Sequence, residues 1–317
     1  EGSKKQQKDE EYWQGTRPYR LSEREQNIYS MVDSIKSVPL YRDIYSLFAS
    51  TVTGYYDIGK FGYGPLAYLF SFNDIEGPRL YYGMRTSNEM SRKIRLGGYL
   101  AYGFKDKAFK GGMNVEYMFS TQPWRKLTFN AKRDIVQLGR SSEAFSESNI
   151  MSSVLAKGGG QRRSPVSEFT LAYEHEWNPG FNNSIGVEAR RVFSNSYVPM
   201  VRPDGESVSS VAATIFHYRA RLSWDETVMK GSFERSYAYT KYPYLTFDIM
   251  GSPKGIARND YSFLRGEFTL DYRLDVPPLG YSLIHLNAGK IFGAVPYPFL
   301  KLHEGNGTYF LDQSAFT

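Results

Sequence analysis

Glu174-His175-Glu176 places an imidazole between two carboxylates, the groups that bind metal ions and shuttle protons. The tripeptide sits in a run of strict alternation, Glu168–Trp177, and on a strand successive side chains point to opposite faces. His175 is therefore turned away from both carboxylates, and the residues read as two glutamates on a charged face with a histidine among rings on the other. His217, His285 and His303 lack the H-x-x-x-H or H-x-x-E spacing of a metal-binding helix. Gly158-Gly159-Gly160, followed by Gln161-Arg162-Arg163, has the glycines and cations of a phosphate cradle but not the G-x-x-x-x-G-K-[ST] order. It reads as a flexible surface loop whose two arginines could face anionic lipopolysaccharide. There is no G-x-S-x-G nucleophile elbow, and the absence of Cys removes thiolate chemistry and zinc–thiolate sites. The sequence thus predicts no enzyme, no catalytic residue, no metal site and no cofactor.

The elements that carry these residues are long strands. Lys93–Phe104, Glu168–Trp177, Phe216–Trp224 and Leu264–Val276 alternate between a face of rings and aliphatics and a face of charges. Further strands are predicted at 52–59, 65–72, 77–87, 110–120, 125–138, 182–194, 228–241, 244–250 and 281–292. Many approach the ~9–11 residues that cross a bilayer when tilted, whereas soluble strands average ~5–6. Tyr102, Phe104, Trp177, Trp224 and Phe292 fall at strand ends, where aromatic girdles sit. The predicted fold is all-β: an antiparallel transmembrane β-barrel, partial, with about 12–14 strands here and about 16 when complete. Its lumen-facing charges are Arg95, Glu116, Lys132, Glu168, Glu174, Arg219, Arg221, Arg265, Glu267, Asp271 and Arg273.

Tight turns at Asn178–Phe181, Asp225–Thr227 and Pro277–Gly280 alternate with long excursions at Gly139–Pro165 and Ser194–Ser209. That is the pattern of outer-membrane barrels, with short periplasmic turns. The alternation breaks at Thr240–Pro243 and Gly251–Asp260, so either one strand is split in two around Tyr237–Tyr244 or the barrel is irregular there. The glycines Gly97, Gly98, Gly103, Gly111 and Gly112 predict a bend or a close approach to the strand backbone.

Composition bounds the rest. The 317 residues include 26 Tyr, 21 Phe and 4 Trp, yet mean hydropathy is −0.48 and 23% of residues are charged. No run reaches the ~20 apolar residues of a transmembrane helix, and so many rings argue against disorder. The net charge of +6 is spread along strands in which both signs alternate, which excludes the single-sign, ring-interleaved stripe of a nucleic-acid groove.

Residues 1–20 read as a polar linker. Residues 21–50 read as an amphipathic helical hairpin, opened by the Ser22/Glu25 capping box and carried by Ile28, Met31, Val32 and Ile35, then by Leu40, Ile44, Leu47 and Phe48. Residues 51–317 read as the barrel.

Trp13–Pro18 with Leu21–Lys36, Ser71–Gly77 (SFNDIEG), Gly97–Gly112 (GGYLAYGFKDKAFKGG), Pro123–Leu127 (PWRKL) and Gly289–Phe310 together resemble a family of bacterial outer-membrane β-barrels catalogued as a domain of unknown function. The resemblance implies a carboxypeptidase-regulatory-like domain upstream and a barrel that continues past Thr317, so that this chain is truncated at its C-terminus. In style it is also similar to outer-membrane assembly barrels of the BamA and TamA type. It implies localisation in the bacterial outer membrane and a non-catalytic transport, assembly or scaffolding role. The implied partners are outer-membrane lipid or lipopolysaccharide and other outer-membrane or periplasmic proteins, and not nucleic acid. The competing expectations are a barrel enzyme acting on lipid or peptide, and a soluble β-rich binding protein.

Overall fold

The computed structural model describes residues 54–138, 163–201, 205–237, 240–256, 259 and 261–300. The predicted linker (1–20) and helical hairpin (21–50) lie outside the described residues, as does Gly158–Arg162.

The main sheet of the described residues is antiparallel and has 13 strands, most of them paired with their neighbours in sequence. Its first strands are short: β1 (Tyr56–Ile58), β2 (Phe61–Tyr63) and β3 (Phe70–Asn73). Long strands follow: β4 (Gly77–Thr86), β5 (Ile94–Gly103), β6 (Ala108–Thr121), β7 (Trp124–Gln137), β8 (Arg163–Asn178), β9 (Phe181–Phe193) and β10 (Ser210–Leu222). After a small separate hairpin, β11 (Val228–Lys230) with β12 (Arg235–Tyr237), the sheet resumes with β13 (Tyr244–Ser252), β14 (Phe263–Val276) and β15 (Gly280–Gly293). Among the described residues β15 has no strand on its outer edge, so the sheet is an unclosed, partial barrel.

Three predicted strands are corrected. The strands expected at 52–59 and 65–72 are the short pieces β1, β2 and β3; Gly59 and Gly64-Pro65 fall between them, since glycine weakens a strand and proline removes a ladder donor. The segment 228–241 is not a strand of the sheet. It lies in the connection from β10 to β13, which pair directly from Leu222↔Leu245 to Phe216↔Gly251. Removing it from the wall puts the later connections at consistent ends, with the long β10–β13 connection as the exception at the tight-turn end. The β13–β14 connection at 253–262 now leaves at the same end as the long connections after β7 and β9, here the loop end. The two-residue links at 122–123 and 179–180 and the link at 277–279 share the other, tight-turn end.

The sheet curls strongly. At ~4.8 Å per strand, β4 and β7 would lie ~14 Å apart in a flat sheet. Yet Arg79 on β4 donates from Nη1 and Nη2 to both oxygens of Asp134 on β7, at 2.7 and 2.9 Å. Glycine on the concave face makes room: a Cβ on Gly112 would come within 2.5 Å of the Tyr99 ring. That ring stacks on Tyr81 at 4.9 Å and its hydroxyl donates to Asp134 at 2.6 Å.

Candidate functional site: a charged interior and an infolded hairpin

Alternation cannot tell which face of a strand meets solvent, but the curvature does. The convex face carries Leu100 at 65% exposure, Phe169 at 56% and Ile185 at 57%. The concave face buries Arg95, Lys110, Asp248 and Glu176, each under 10% exposed. This is the reverse of a globular protein, where charges are the residues least often buried. A buried charge costs several kcal/mol unless it is paired, and the register supplies the pairs. Arg95 faces Glu116 across β5–β6, Lys132 faces Glu168 across β7–β8, and Arg219 faces Asp248 across β10–β13.

Each residue predicted from sequence as a lumen charge falls on this face. Lys132 Nζ lies 3.0 Å from Glu168 Oε1, and Arg190 Nε lies 3.6 Å from the other oxygen. Arg219 Nε donates to Asp248 at 2.6 Å. Glu267 accepts from Asn287 at 2.7 Å, Asp271 meets His285 Nδ1 at 2.6 Å, and Arg265 rests its guanidinium on the Met250 sulfur. Arg273 pairs with Asp275 at 3.0 Å near the tight-turn end. Sequence reasoning missed a second cluster, in which Lys110 lies 2.8 Å from Glu76 and 2.5 Å from Asp106.

The remaining predicted charges, Arg95, Glu116, Glu174 and Arg221, gather at the tight-turn end. There the β10–β13 connection folds back as the β11–β12 hairpin. Glu234 at its tip pairs with Arg95 and lies 3.9 Å from Arg85. Phe233, fully buried, lies beneath the Arg95 guanidinium, 4.3 Å from ring centre to carbon. It packs with Met118 and with Trp124, itself 1% exposed. Trp124 donates its ring N–H to Glu174 and its backbone N–H to Glu176, both at 2.9 Å. Arg235 lies over the Trp124 ring at 5.5 Å, and Lys230 pairs with Glu176. Lys126 completes the bed, 3.4 Å from each of Glu116 and Glu174. At the hairpin's base Arg221 grips Glu226 with two bonds of 2.5 and 2.6 Å and stacks on Tyr237 and Tyr244. Burial pushes the Glu234 carboxyl toward protonation. Arg95, with Arg85 and Lys126 behind it, more than offsets this and holds the group below the usual carboxylate range.

The loop end is filled differently. Val166, Val192, Val211, Ala213, Ile215 and Phe263 point inward there, and Val198, Met200 and Phe299 from the connections pack on them. Asn259 closes the adjoining backbone. Beyond the reach of β13 it accepts the Thr214 N–H at 2.6 Å and donates to the Thr214 carbonyl at 3.0 Å, as a neighbouring strand would.

The EHE tripeptide is divided between the faces. Glu174 and Glu176 serve the hairpin, while His175 stands outside, 3.1 Å from the Tyr173 hydroxyl and 4.2 Å from the Trp177 ring. Among the described residues no group of three or more His, Asp or Glu could hold a metal ion. Phe233, Glu234 and Arg235 were missed because they lie in the segment read as a wall strand. The broken turn alternation was the signal that could have found them.

A meandering antiparallel sheet with ion pairs on its concave face and rings on its convex face defines a barrel-type fold. Within that class the chain belongs to the family of unknown function DUF5686, C-terminal domain, which matches residues 45–315. No curated protein matches the chain. Among solved structures it is similar to BamA from Haemophilus ducreyi lacking POTRA domains 1–3, at 9% identity and a TM-score of 0.43. That likeness covers 74% of this chain and 43% of the other, so the chain spans under half the length of the structure it matches.

Proposed function

We propose that this chain is the membrane-spanning part of a bacterial outer-membrane protein, and that its role is non-catalytic transport through a lumen gated by the β11–β12 hairpin. The observation that carries the reading is the inversion of faces. A sheet in water has no reason to bare Leu100, Phe169 and Ile185 while burying Arg95 and Lys110, whereas a barrel in lipid must do so. The tight turns and the hairpin between β10 and β13 then face the periplasm, and the long connections after β7 and β9 face outward.

The test is planar-bilayer conductance of the full-length protein against a variant lacking 226–238. A silent wild type and a steadily conducting deletion support gated transport. A monodisperse monomer in detergent-free buffer overturns the membrane reading in favour of a soluble binding protein. A hydrolytic activity on lipid or peptide would overturn the non-catalytic part.

The competing outcome is assembly or scaffolding, in which the same charged concave face holds a plug or partner segment and passes no current. Silence of both variants, together with defects in other barrels on depletion, selects it. The upstream carboxypeptidase-regulatory-like domain belongs to the same proposal and is read directly from the full open reading frame.

A further inference from the structure

The convex face is apolar across β7, β8 and β9 but is bounded by two polar rows. Toward the tight turns Arg125 pairs in register with His175, and His175 with Asn183. Toward the loops Arg133 pairs with Ser167, and Ser167 with Arg191. The rows are about eight residues apart, ~26 Å along the strand and ~20 Å vertically at a tilt of ~40°, close to the ~25 Å apolar band of outer-membrane barrels. Between them lie Phe129, Phe169, Leu171, Ile185 and other apolar side chains.

The loop-side row is unlike the interior. Concave-face cations such as Lys110, Lys132 and Arg219 have carboxylates beside them. Arg133 and Arg191 are exposed and make no ion pair among the described residues. No outward-facing position of β7, β8 or β9 carries an acid. Two strand spacings set the arginine backbones ~10 Å apart with the Ser167 hydroxyl between them. One step deeper the register is Ala131↔Phe169↔Ala189, so a ring stands between two small residues directly below the cations.

We propose that Arg133, Ser167 and Arg191 bind the phosphate of a lipid A-type phosphorylated glycolipid, with its acyl chains lying along Phe169, Leu171 and Ile185. Guanidinium groups suit phosphate because they offer paired, charge-assisted donors, and no neighbouring carboxylate competes. The outer-leaflet lipid is the occupant because the row lies at the loop end, which faces outward under the function proposed above, on which this inference rests. Arg125, on the opposite border, is the internal control: a cation that merely anchors the barrel at a headgroup interface would behave as Arg133 and Arg191 do.

The experiment adds bisphosphorylated lipid A, its dephosphorylated form, phosphatidylglycerol or inorganic phosphate to the full chain in detergent and counts bound molecules by native mass spectrometry. Liposome insertion is measured in parallel. Wild type is expected to retain bisphosphorylated lipid A. R133Q/R191Q is expected to weaken it about tenfold or more, R133K/R191K to recover part of that loss, and R125Q to leave it unchanged. Equal retention by the glutamine variant, equal loss in R125Q, or equal binding of phosphatidylglycerol or inorganic phosphate overturns the assignment. In each of these cases normal liposome insertion leaves the membrane reading standing. A chain that never inserts overturns both.

Discussion

The two ends of the concave face are packed by opposite means. At the tight-turn end the hairpin is held by charge: Glu234 on Arg95, Lys230 on Glu176, Arg221 on Glu226. The apolar cluster beneath it is small, Met118, Trp124 and Phe233 among the described residues. At the loop end the closure is apolar, Val166 and Val192 being wholly buried against Val198, Met200 and Phe299. Hydrophobic burial is non-directional and indifferent to pH, whereas ion pairs need specific geometry and answer to proton and salt concentration. One end is thus packed by contacts that proton and salt concentration leave unchanged. The other is a contact that solution conditions can loosen.

The sharpest way to break this contrast is Val166→Asp. An unpaired carboxylate in the apolar seal is expected to cost more than about 4 kcal/mol and to prevent folding. Loss of the compact, heat-modifiable band on electrophoresis checks it, and a normally folded variant would show that the seal tolerates charge. Next is Phe233→Ala, which empties the space between Arg95 and Trp124. Ring deletions from cores cost about 3–5 kcal/mol, so the hairpin is expected to undock while the wall stays intact. Protease cleavage within 226–238 of an otherwise folded protein is the readout, and an uncut hairpin would mean that charge alone holds it.

The smallest effect sharpens the comparison instead. Glu234 is partly exposed, and its replacement by Gln is expected to weaken docking by about 0.5–1 kcal/mol. Because the docked carboxyl titrates below its undocked value, its contribution is complete above about pH 4.3 and is lost as pH falls through the lower, docked value. Proteolysis of the hairpin by an acid-active protease should therefore rise as pH drops below about 4 in wild type and change less in E234Q. Identical pH profiles would remove Glu234 from the latch.

The wall of the sheet was largely legible in the sequence because alternation is a strong local signal. β5, β7, β9, β14 and β15 fall within two residues of their predicted bounds, and the charged positions of β8 and β10 were placed together on one face. The orientation of the faces was not legible from alternation alone, since the pattern is symmetric with respect to inside and outside; strand length and ring position had to stand in for it. The hairpin was lost for a different reason. Val228–Tyr237 has strand residues in strand order and does form strands, but only three residues long and paired with each other. What sends it inward is the distant bed of Arg95, Trp124 and Glu176, invisible in a local window. The EHE tripeptide was resolved correctly into two faces, yet the role of its glutamates emerges only with Lys126, Trp124 and Lys230 around them.

The Arg95–Glu234 contact joins residues 139 positions apart, and the hairpin that makes it hangs between two neighbouring strands of the wall. Contacts of such separation carry a high loop-closure cost and reward the chain late. The wall from β5 to β8 is built from adjacent antiparallel pairs and can form before the hairpin arrives. Its interior cations then wait, solvated, for the segment that completes them. A hairpin held by such distant partners is the part of the fold whose docking can lag behind the wall that receives it.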